Sequence, residues 1–99
     1  MLTGKQKRFL RSLGHSLKPL IQIGKKEIEA GLIAETSLAL AHHELVKVKL
    51  LESCILDRHE ASEELASATG SSIAQVLGKT FLLYRPADEP KLVLPASAE

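Results

Sequence analysis

The most regular alternation of apolar and polar positions in this chain lies near its middle. Within residues 44–51, Val46 and Val48 are separated by Lys47 and Lys49, so apolar side chains occupy one face and lysines the other. A period of two residues is typical of a strand that buries one face. The pattern therefore predicts a strand with both lysines on the face opposite the valines.

A shorter strand is predicted at residues 20–23, where leucine and isoleucine form an apolar run. This run ends at Gly24, Lys25 and Lys26 follow, and a helical pattern begins from Glu27. A glycine permits close approach of another backbone, and the first turn of a helix presents unpaired N–H groups. Together with two adjacent lysines, this order of elements suits the binding of a phosphate.

The opening residues predict a helix with one apolar side and one cationic side. Thr3 is a suitable N-cap, and we expect the helix to run to about Ser12 and to end near Gly14. At 100° per residue the apolar side chains share one arc, and the basic side chains occupy the remaining surface. The apolar set is Leu2, Phe9, Leu10 and Leu13, and the basic set is Lys5, Lys7, Arg8 and Arg11.

Two further helices are predicted. The first covers residues 28–41, and its positions at helical spacing are Ala30, Ile33, Ala34, Ser37 and Ala41. Gly31 interrupts this helix at a cost of about 1 kcal/mol relative to alanine, which a close packing contact would explain. Asp57 and Glu60 form a candidate capping box for the last helix, and Gly70 is a suitable C-terminal stop.

The end of the chain predicts a β-hairpin followed by a tail. Two apolar runs at 73–77 and 80–84 are joined by a glycine and a lysine, as in a tight two-residue turn. For residues 87–99 we expect either a loose edge strand over 91–94 or disorder. The order helix, strand, helix, strand, helix, strand, strand predicts an α/β fold, more closely a two-layer α+β fold. Its four-stranded mixed sheet should have a parallel core and one antiparallel strand.

Charge is unevenly distributed, although the net charge is only +1. Residues 1–26 contain seven of the thirteen basic residues and no acidic residue, whereas all twelve acidic residues lie in 27–99. This segregation indicates a polyanionic partner that the N-terminal quarter contacts. The predicted last helix carries Glu60, Glu63 and Glu64, so we expect it to point away from such a partner.

The sequence offers little support for catalysis or metal binding. His42, His43 and Glu44 are adjacent, whereas ligands on one helix must be three or four residues apart, so we interpret the histidines as favourable charges at a helix C-terminus. The single Cys54 excludes an internal disulfide, and we interpret it as a buried apolar residue. No nucleophile or nucleotide-binding motif occurs. We therefore expect no enzyme activity, no metal, no cofactor and no small-molecule substrate.

Length and composition predict one globular domain. The chain has 99 residues, of which 44% are hydrophobic and 25% charged. No apolar run approaches the ~20 residues that span a bilayer, and the N-terminus lacks the apolar region of a secretory signal. We expect a cytoplasmic protein without a membrane partner.

Four segments resemble a known family, the CRM domain (chloroplast RNA splicing and ribosome maturation) in its stand-alone bacterial YhbY-type form. They are K-Q-K-R-F-L-R at 5–11, L-K-P-L-I-Q-I-G-K at 17–25, A-L-A-H-H-E-L-V-K-V-K at 39–49 and Q-V-L-G-K-T-F-L-L-Y-R-P at 75–86. The resemblance implies an RNA-binding domain over residues 1–86, similar in fold to the C-terminal domain of translation initiation factor three, with strand order one, two, four, three. It also implies association with precursors of the large ribosomal subunit.

The resemblance has one departure from the family pattern. Members of the family usually carry a G-x-x-G loop after the first strand, similar to the loop with which KH domains clamp an RNA backbone. Here Gly24 begins the loop and Glu27 stands in place of the second glycine. Its side chain would crowd and repel a phosphate, although a carboxylate at a helix N-terminus is stabilised by about 0.3–1 kcal/mol. Gly24 and the two lysines after it still fit the pattern.

The sequence therefore leads to a main hypothesis and two alternatives. The main hypothesis is a monomeric RNA-binding protein of large-subunit assembly that holds the phosphate backbone of structured ribosomal RNA. With only three aromatic residues, base stacking should be minor. The alternatives are a module that docks on ribosomal proteins without touching RNA, and attachment of the basic first helix to a membrane surface. The predicted RNA-binding residues are Lys5, Lys7, Arg8, Arg11, Lys18, Gly24, Lys25 and Lys26.

Overall fold

A computed structural model describes residues 2–95 and confirms the predicted α/β class and order of elements. In chain order the elements are α1 (Gly4–Gly14), β1 (Ile21–Ile23), α2 (Ala30–His43), β2 (Leu45–Leu50), α3 (Arg58–Thr69), β3 (Ser72–Leu77) and β4 (Thr80–Tyr84). None of the helices in residues 2–95 has the length and apolar character needed to cross a bilayer.

Two helices begin with reciprocal capping, as the sequence predicts. The Thr3 hydroxyl accepts a hydrogen bond from the backbone N–H of Gln6, and the Gln6 side chain accepts one from the Thr3 N–H. Asp57 and Glu60 form the same arrangement at the start of α3. At the other end of α3, Gly70 has φ +66°, a left-handed conformation that glycine adopts without steric cost. These local signals fix the start of α1 and both ends of α3.

The four strands form one mixed sheet in the order β1-β2-β4-β3, which the family resemblance implies. β1 and β2 are parallel, with Ile21 opposite Val48, whereas β4 is antiparallel to both of its neighbours, β2 and β3. The expected parallel core is thus limited to one pair of strands, because β4 inserts between β2 and β3. As a result, the C-terminal ends of β1, β2 and β3 all lie at the same end of the sheet, where the β3–β4 turn also lies.

Helices cover both faces of this sheet. Val46, Val48 and Phe81 point to one face and pack with α2 and α3 in the larger core cluster. The alternate side chains, including Leu82, point to the other face and pack with Leu10 of α1. The predicted two-layer arrangement therefore gains a third, partial layer, because α1 buries its apolar arc on the face away from α2 and α3.

The helically spaced positions of α2 do not form its buried face. The helix begins at Ala30 rather than at residue 28 and extends to His43, and its most buried residues are Thr36 and Leu40. Three alanines among the helically spaced positions are exposed, at positions 30, 34 and 41. α2 is apolar on nearly every side, so periodicity alone does not select its core face. Side-chain size does not select it either, since Thr36 is buried while Leu38 is 62% exposed.

Gly31 has no packing role, so a close contact does not explain the glycine at this position. A Cβ built at this position meets no atom within 4 Å. We therefore expect Gly31→Ala to raise the free energy of unfolding by about 0.5–1 kcal/mol, because alanine restricts the unfolded chain and favours helix. Chemical denaturation measures this, with Ala34→Gly on the same exposed face as a control that should lose a similar amount. A destabilised Gly31→Ala variant would contradict the account.

A half-buried arginine connects three elements. The guanidinium of Arg85, which follows β4, donates to the Ser37 hydroxyl at 3.1 Å and to the Ser37 carbonyl oxygen at 2.7 Å. It also donates to the Thr69 carbonyl oxygen at 2.8 Å, at the C-terminal end of α3. Arg85 thus ties α2 to the end of α3, where carbonyl groups lack intrahelical partners.

Residues 86–95, the C-terminal segment, contain neither helix nor strand, so no edge strand forms over 91–94. Leu92 and Leu94 nevertheless pack against the cluster beneath α1. The buried carboxylate of Glu44 accepts hydrogen bonds from the backbone N–H groups of Lys91 (2.6 Å), Leu92 (3.1 Å) and Ala87 (3.3 Å). The expectation for 96–99 lies outside the described residues, and the domain limit at residue 86 stays a prediction.

Candidate nucleic-acid interface

The N-terminal cations predicted as binding residues are all exposed. Four of them lie on α1, Lys18 lies on the connection from α1 to β1, and two lie in the turn that follows β1. The set is Lys5, Lys7, Arg8, Arg11, Lys18, Lys25 and Lys26. Whether these cations form one surface depends on what lies between α1 and the turn.

The turn after β1, residues 24–27, is a β-turn that presents its two lysines to solvent. The N–H of Glu27 donates to the carbonyl oxygen of Gly24 at 3.0 Å, which places Lys25 and Lys26 at the two central positions. A Cβ at Gly24 would lie 3.3 Å from the Ser53 hydroxyl oxygen, so glycine permits close packing against the β2–α3 loop. Gly24 therefore has a structural role that does not depend on a ligand.

Glu27 lies before the helix rather than in its first turn, because α2 begins only at Ala30. The helix-terminus stabilisation expected for its carboxylate is therefore unsupported. Glu27 instead has φ +58°, a left-handed conformation that side chains with a Cβ rarely adopt. The position that the family usually fills with glycine thus keeps, in this chain, the backbone shape that favours glycine.

Glu27→Gly should consequently raise the free energy of unfolding by about 0.5–1 kcal/mol, because relief of the left-handed strain outweighs the added freedom of the unfolded chain. Thermal or chemical denaturation measures the gain. Glu27→Ala is the matched control, since it removes the same charge but keeps the Cβ. Equal stabilisation by both variants would mean that charge, and not backbone strain, dominates at this position.

Between α1 and the turn lies an uncovered row of the sheet, on the face that α1 partly covers. Gln22, Lys49, Thr80 and Leu77 stand opposite one another across β1, β2, β4 and β3, and we call this set the open row. Lys49, Gln22 and Leu77 are exposed. Lys47 is the next residue of β2 on the same face, about 7 Å from Lys49 along the strand. Lys49 of the open row and the neighbouring Lys47 are thus the two basic residues on this part of the sheet.

Lys47 and Lys49 were missing from the binding residues predicted by sequence. Their alternation with Val46 and Val48 had already placed them on the face opposite the main core. Sequence could not show that α1 leaves part of this face open, since that depends on where α1 crosses the sheet. We define the basic face as the open row together with Lys47, the turn at 24–27 and the exposed side of α1.

The cations of α1 are not equivalent. Gly14 packs on Leu82, and Arg11, one turn earlier, lies on the same flank of the helix. Leu13 and Gln6 lie on the opposite flank, against the C-terminal segment, where the Gln6 amide donates to the Pro95 carbonyl oxygen at 3.2 Å. Arg11 therefore faces the open row.

The other α1 cations have different surroundings. Lys7 shares a groove at the β3 edge with Glu63 of α3. By helical geometry Arg8 points away from the sheet, and Lys5 lies toward the C-terminal segment. By helical geometry Lys7 thus shares the flank of Arg11, whereas Arg8 and Lys5 do not.

Acidic side chains are concentrated elsewhere. α3, whose exposed glutamates are predicted to avoid a polyanion, packs on the sheet face opposite α1, and of these glutamates Glu63 lines the groove that Lys7 shares. Around the turn, the exposed Lys25 and Lys26 line a groove on the α2 side together with Glu27, Glu29 and Glu35. At the β3–β4 turn, Lys79 pairs with Glu52 at 2.8 Å, and both side chains are largely exposed. The turn therefore has acidic neighbours on its α2 side.

Comparison with known proteins agrees with the fold. The chain is 42% identical to a protein from Staphylococcus aureus of known solution structure, with a TM-score of 0.81 over 96% of this chain and all of that one. It is 41% identical to the Bacillus subtilis "Probable RNA-binding protein YqeI", covering 94% of this chain and 97% of the relative. A Haemophilus influenzae protein named "RNA-binding protein" is 36% identical over 95% of both chains.

The family model of the CRS1 / YhbY (CRM) domain matches residues 2–85. This match includes all three helices, all four strands and the turn at 24–27. Together with relatives that align over nearly their whole length, it shows that the chain belongs to the CRS1 / YhbY (CRM) domain family.

Proposed function

We propose that this protein binds structured RNA by holding its phosphate backbone on the basic face. The observation that supports this proposal is that Arg11, Lys49, Lys25 and Lys26 are all exposed, with Lys49 opposite Gln22 on the sheet face away from the acidic helix α3. Lysine and arginine that neutralise phosphates supply most of the affinity for nucleic acid, without regard to sequence. The relatives named as RNA-binding proteins support the same partner.

Within that proposal the RNA is recognised by its backbone shape rather than by stacked bases. Phe81 and Tyr84 are buried, and Phe9 of α1 is partly buried against the cluster that contains Leu82. None of the three aromatic side chains is therefore available on the basic face. Modules that read single strands rely on such exposed aromatic side chains. A double-stranded or otherwise folded RNA therefore fits this surface better than a plain single strand does.

We further propose that the RNA is ribosomal and belongs to the precursor of the large subunit, as the family resemblance implies. The protein would act there in the cytoplasm as a monomer and as a binding module without catalytic activity or cofactor. This role can be tested by following the protein across a ribosomal gradient of cell extract. Sedimentation with large-subunit precursors is expected, and a protein found only at the top of the gradient would contradict the role.

Direct binding tests the RNA contact itself. The purified protein should bind a folded ribosomal RNA fragment with an affinity that falls by about 0.7–0.9 log units per log unit of salt for each phosphate contacted. Lys25→Glu with Lys26→Glu should lower both the affinity and this slope. An unchanged affinity and slope would remove the turn from the interface. Crosslinks in cells that reach ribosomal proteins but not RNA would favour the protein-docking alternative instead.

A further inference from the structure

An apolar groove opens beside the basic face, where α1 ends and β1 begins. Its volume is about 470 Å³, and five leucines form its walls: Leu13, Leu17, Leu20, Leu45 and Leu92. We call it the leucine groove. Leu17 and Leu20 are 37% and 51% exposed, although leucine side chains are more often buried. The exposed walls mark the groove as a candidate binding surface.

The polar residues of the leucine groove favour an anionic ligand. Lys18 and Lys47 stand at the groove with Ser16 and His43, and none of its lining side chains is acidic. Lys47 also belongs to the basic face, two residues from Lys49 on the same side of β2. A ligand in the groove can therefore be continuous with a chain of phosphates lying on the open row.

The size and shape of the leucine groove further limit the class of ligand that it can bind. A groove of this volume lies within the range that small-molecule sites occupy, whereas an intact duplex is far too wide to enter it. An unpaired nucleotide offers an apolar ring for the leucines and a phosphate for the lysines. A base that is already unpaired leaves the stack at little cost.

We propose that the leucine groove takes one unpaired nucleotide of the RNA that the basic face holds, an inference that rests on the proposed function. The base lies against Leu17 and Leu20, and its phosphate lies near Lys18 and Lys47. The Ser16 hydroxyl and the His43 ring are placed to hydrogen-bond the edge of the base. The preferred RNA is then a helix interrupted by a bulge, not an uninterrupted duplex.

Two RNAs that differ by one nucleotide test this inference. We expect the protein to bind a duplex with a single-nucleotide bulge about tenfold more tightly than the same duplex without it, as burial of one base allows. Leu17→Asn with Leu20→Asn should abolish this preference and leave the affinity for the plain duplex unchanged. Both leucines are partly exposed, so the variant should fold, which its circular dichroism checks. Leu38→Asn, at an exposed leucine of α2, is the matched control and should keep the preference.

The outcomes separate the two proposals. Equal affinity for both RNAs would overturn the nucleotide site while leaving RNA binding intact, and no binding to either would overturn the proposed function itself. A photo-crosslinker at position 20 adds a structural readout. Crosslinks to the bulged nucleotide support the site, and crosslinks at this position to protein but not to RNA would overturn it.

Discussion

Glu44→Ala should lower the free energy of unfolding by about 2–4 kcal/mol, one of the two largest effects that we expect from the structure. The Glu44 carboxylate is 3% exposed and accepts three backbone N–H groups of the C-terminal segment. Alanine would leave those donors without their partner and release Leu92 from the cluster beneath α1. Chemical denaturation of the full chain measures the loss.

A second variant separates the carboxylate from the backbone at this position. Glu44 has φ +63°, so Glu44→Gly removes the hydrogen bonds but also relieves left-handed strain. It should therefore be less destabilising than Glu44→Ala. Stability equal to wild type in both variants would show that the carboxylate does not hold the C-terminal segment.

The same carboxylate predicts a dependence of stability on pH. The N–H of Lys91 lowers the pKa of Glu44 below its ordinary value of 4.5; burial opposes this effect, and the N–H groups of Leu92 and Ala87 add to it. Because the folded pKa is the lower one, this stabilisation is present above the unfolded pKa and is lost as pH falls through the folded pKa. Glu44→Gln should flatten the stability profile in that acidic window, and an unchanged profile would contradict the assignment.

Neutralising three lysines of the basic face should lower RNA affinity about 100-fold at moderate salt. The triple variant combines Lys25→Gln, Lys26→Gln and Lys49→Gln and loses up to three phosphate contacts. The slope of log affinity against log salt concentration should therefore fall by about 2–3 units. All three side chains are exposed, so stability should hardly change. Fluorescence anisotropy with a folded ribosomal RNA fragment at several salt concentrations measures both quantities.

A control variant with the same change in net charge tests whether the position of the charges determines RNA affinity. Ala34→Glu, Ser67→Glu and Ala68→Glu combined also change the charge by three, on exposed positions of α2 and α3. RNA affinity should then fall only slightly, because these positions lie behind the sheet and salt screens distant charges. A loss as large as that of the lysine variant would mean that net charge, and not a basic face, governs binding.

Local signals in the sequence predicted most of the fold. The capping boxes at Thr3 and Asp57 and the alternation in β2 each act over a few residues, and each is present in the structure. The buried side of α2 could not be predicted in the same way. That helix is apolar all round, so the choice of Leu40 over Ala41 depends on contacts with the sheet.

The candidate site was only partly predictable for a similar reason. The sequence showed the cations of α1 and the turn, but the role of Lys49 depends on a part of the sheet that α1 leaves uncovered. The hydrogen bonds between the Glu44 carboxylate and the C-terminal segment join residues more than forty positions apart. Glu44 also has the positive φ that favours glycine, so nothing in the local sequence marks it as a helix end.

The most direct test of the basic face is a titration of the isotopically labelled protein with a folded ribosomal RNA fragment, followed by NMR at low salt. The account predicts amide shift changes at Arg11, Gln22, Lys25, Lys26 and Lys49, with the exposed side of α3 unaffected. Changes confined to α3 or to the exposed face of α2, with β2 and the turn unperturbed, would contradict it.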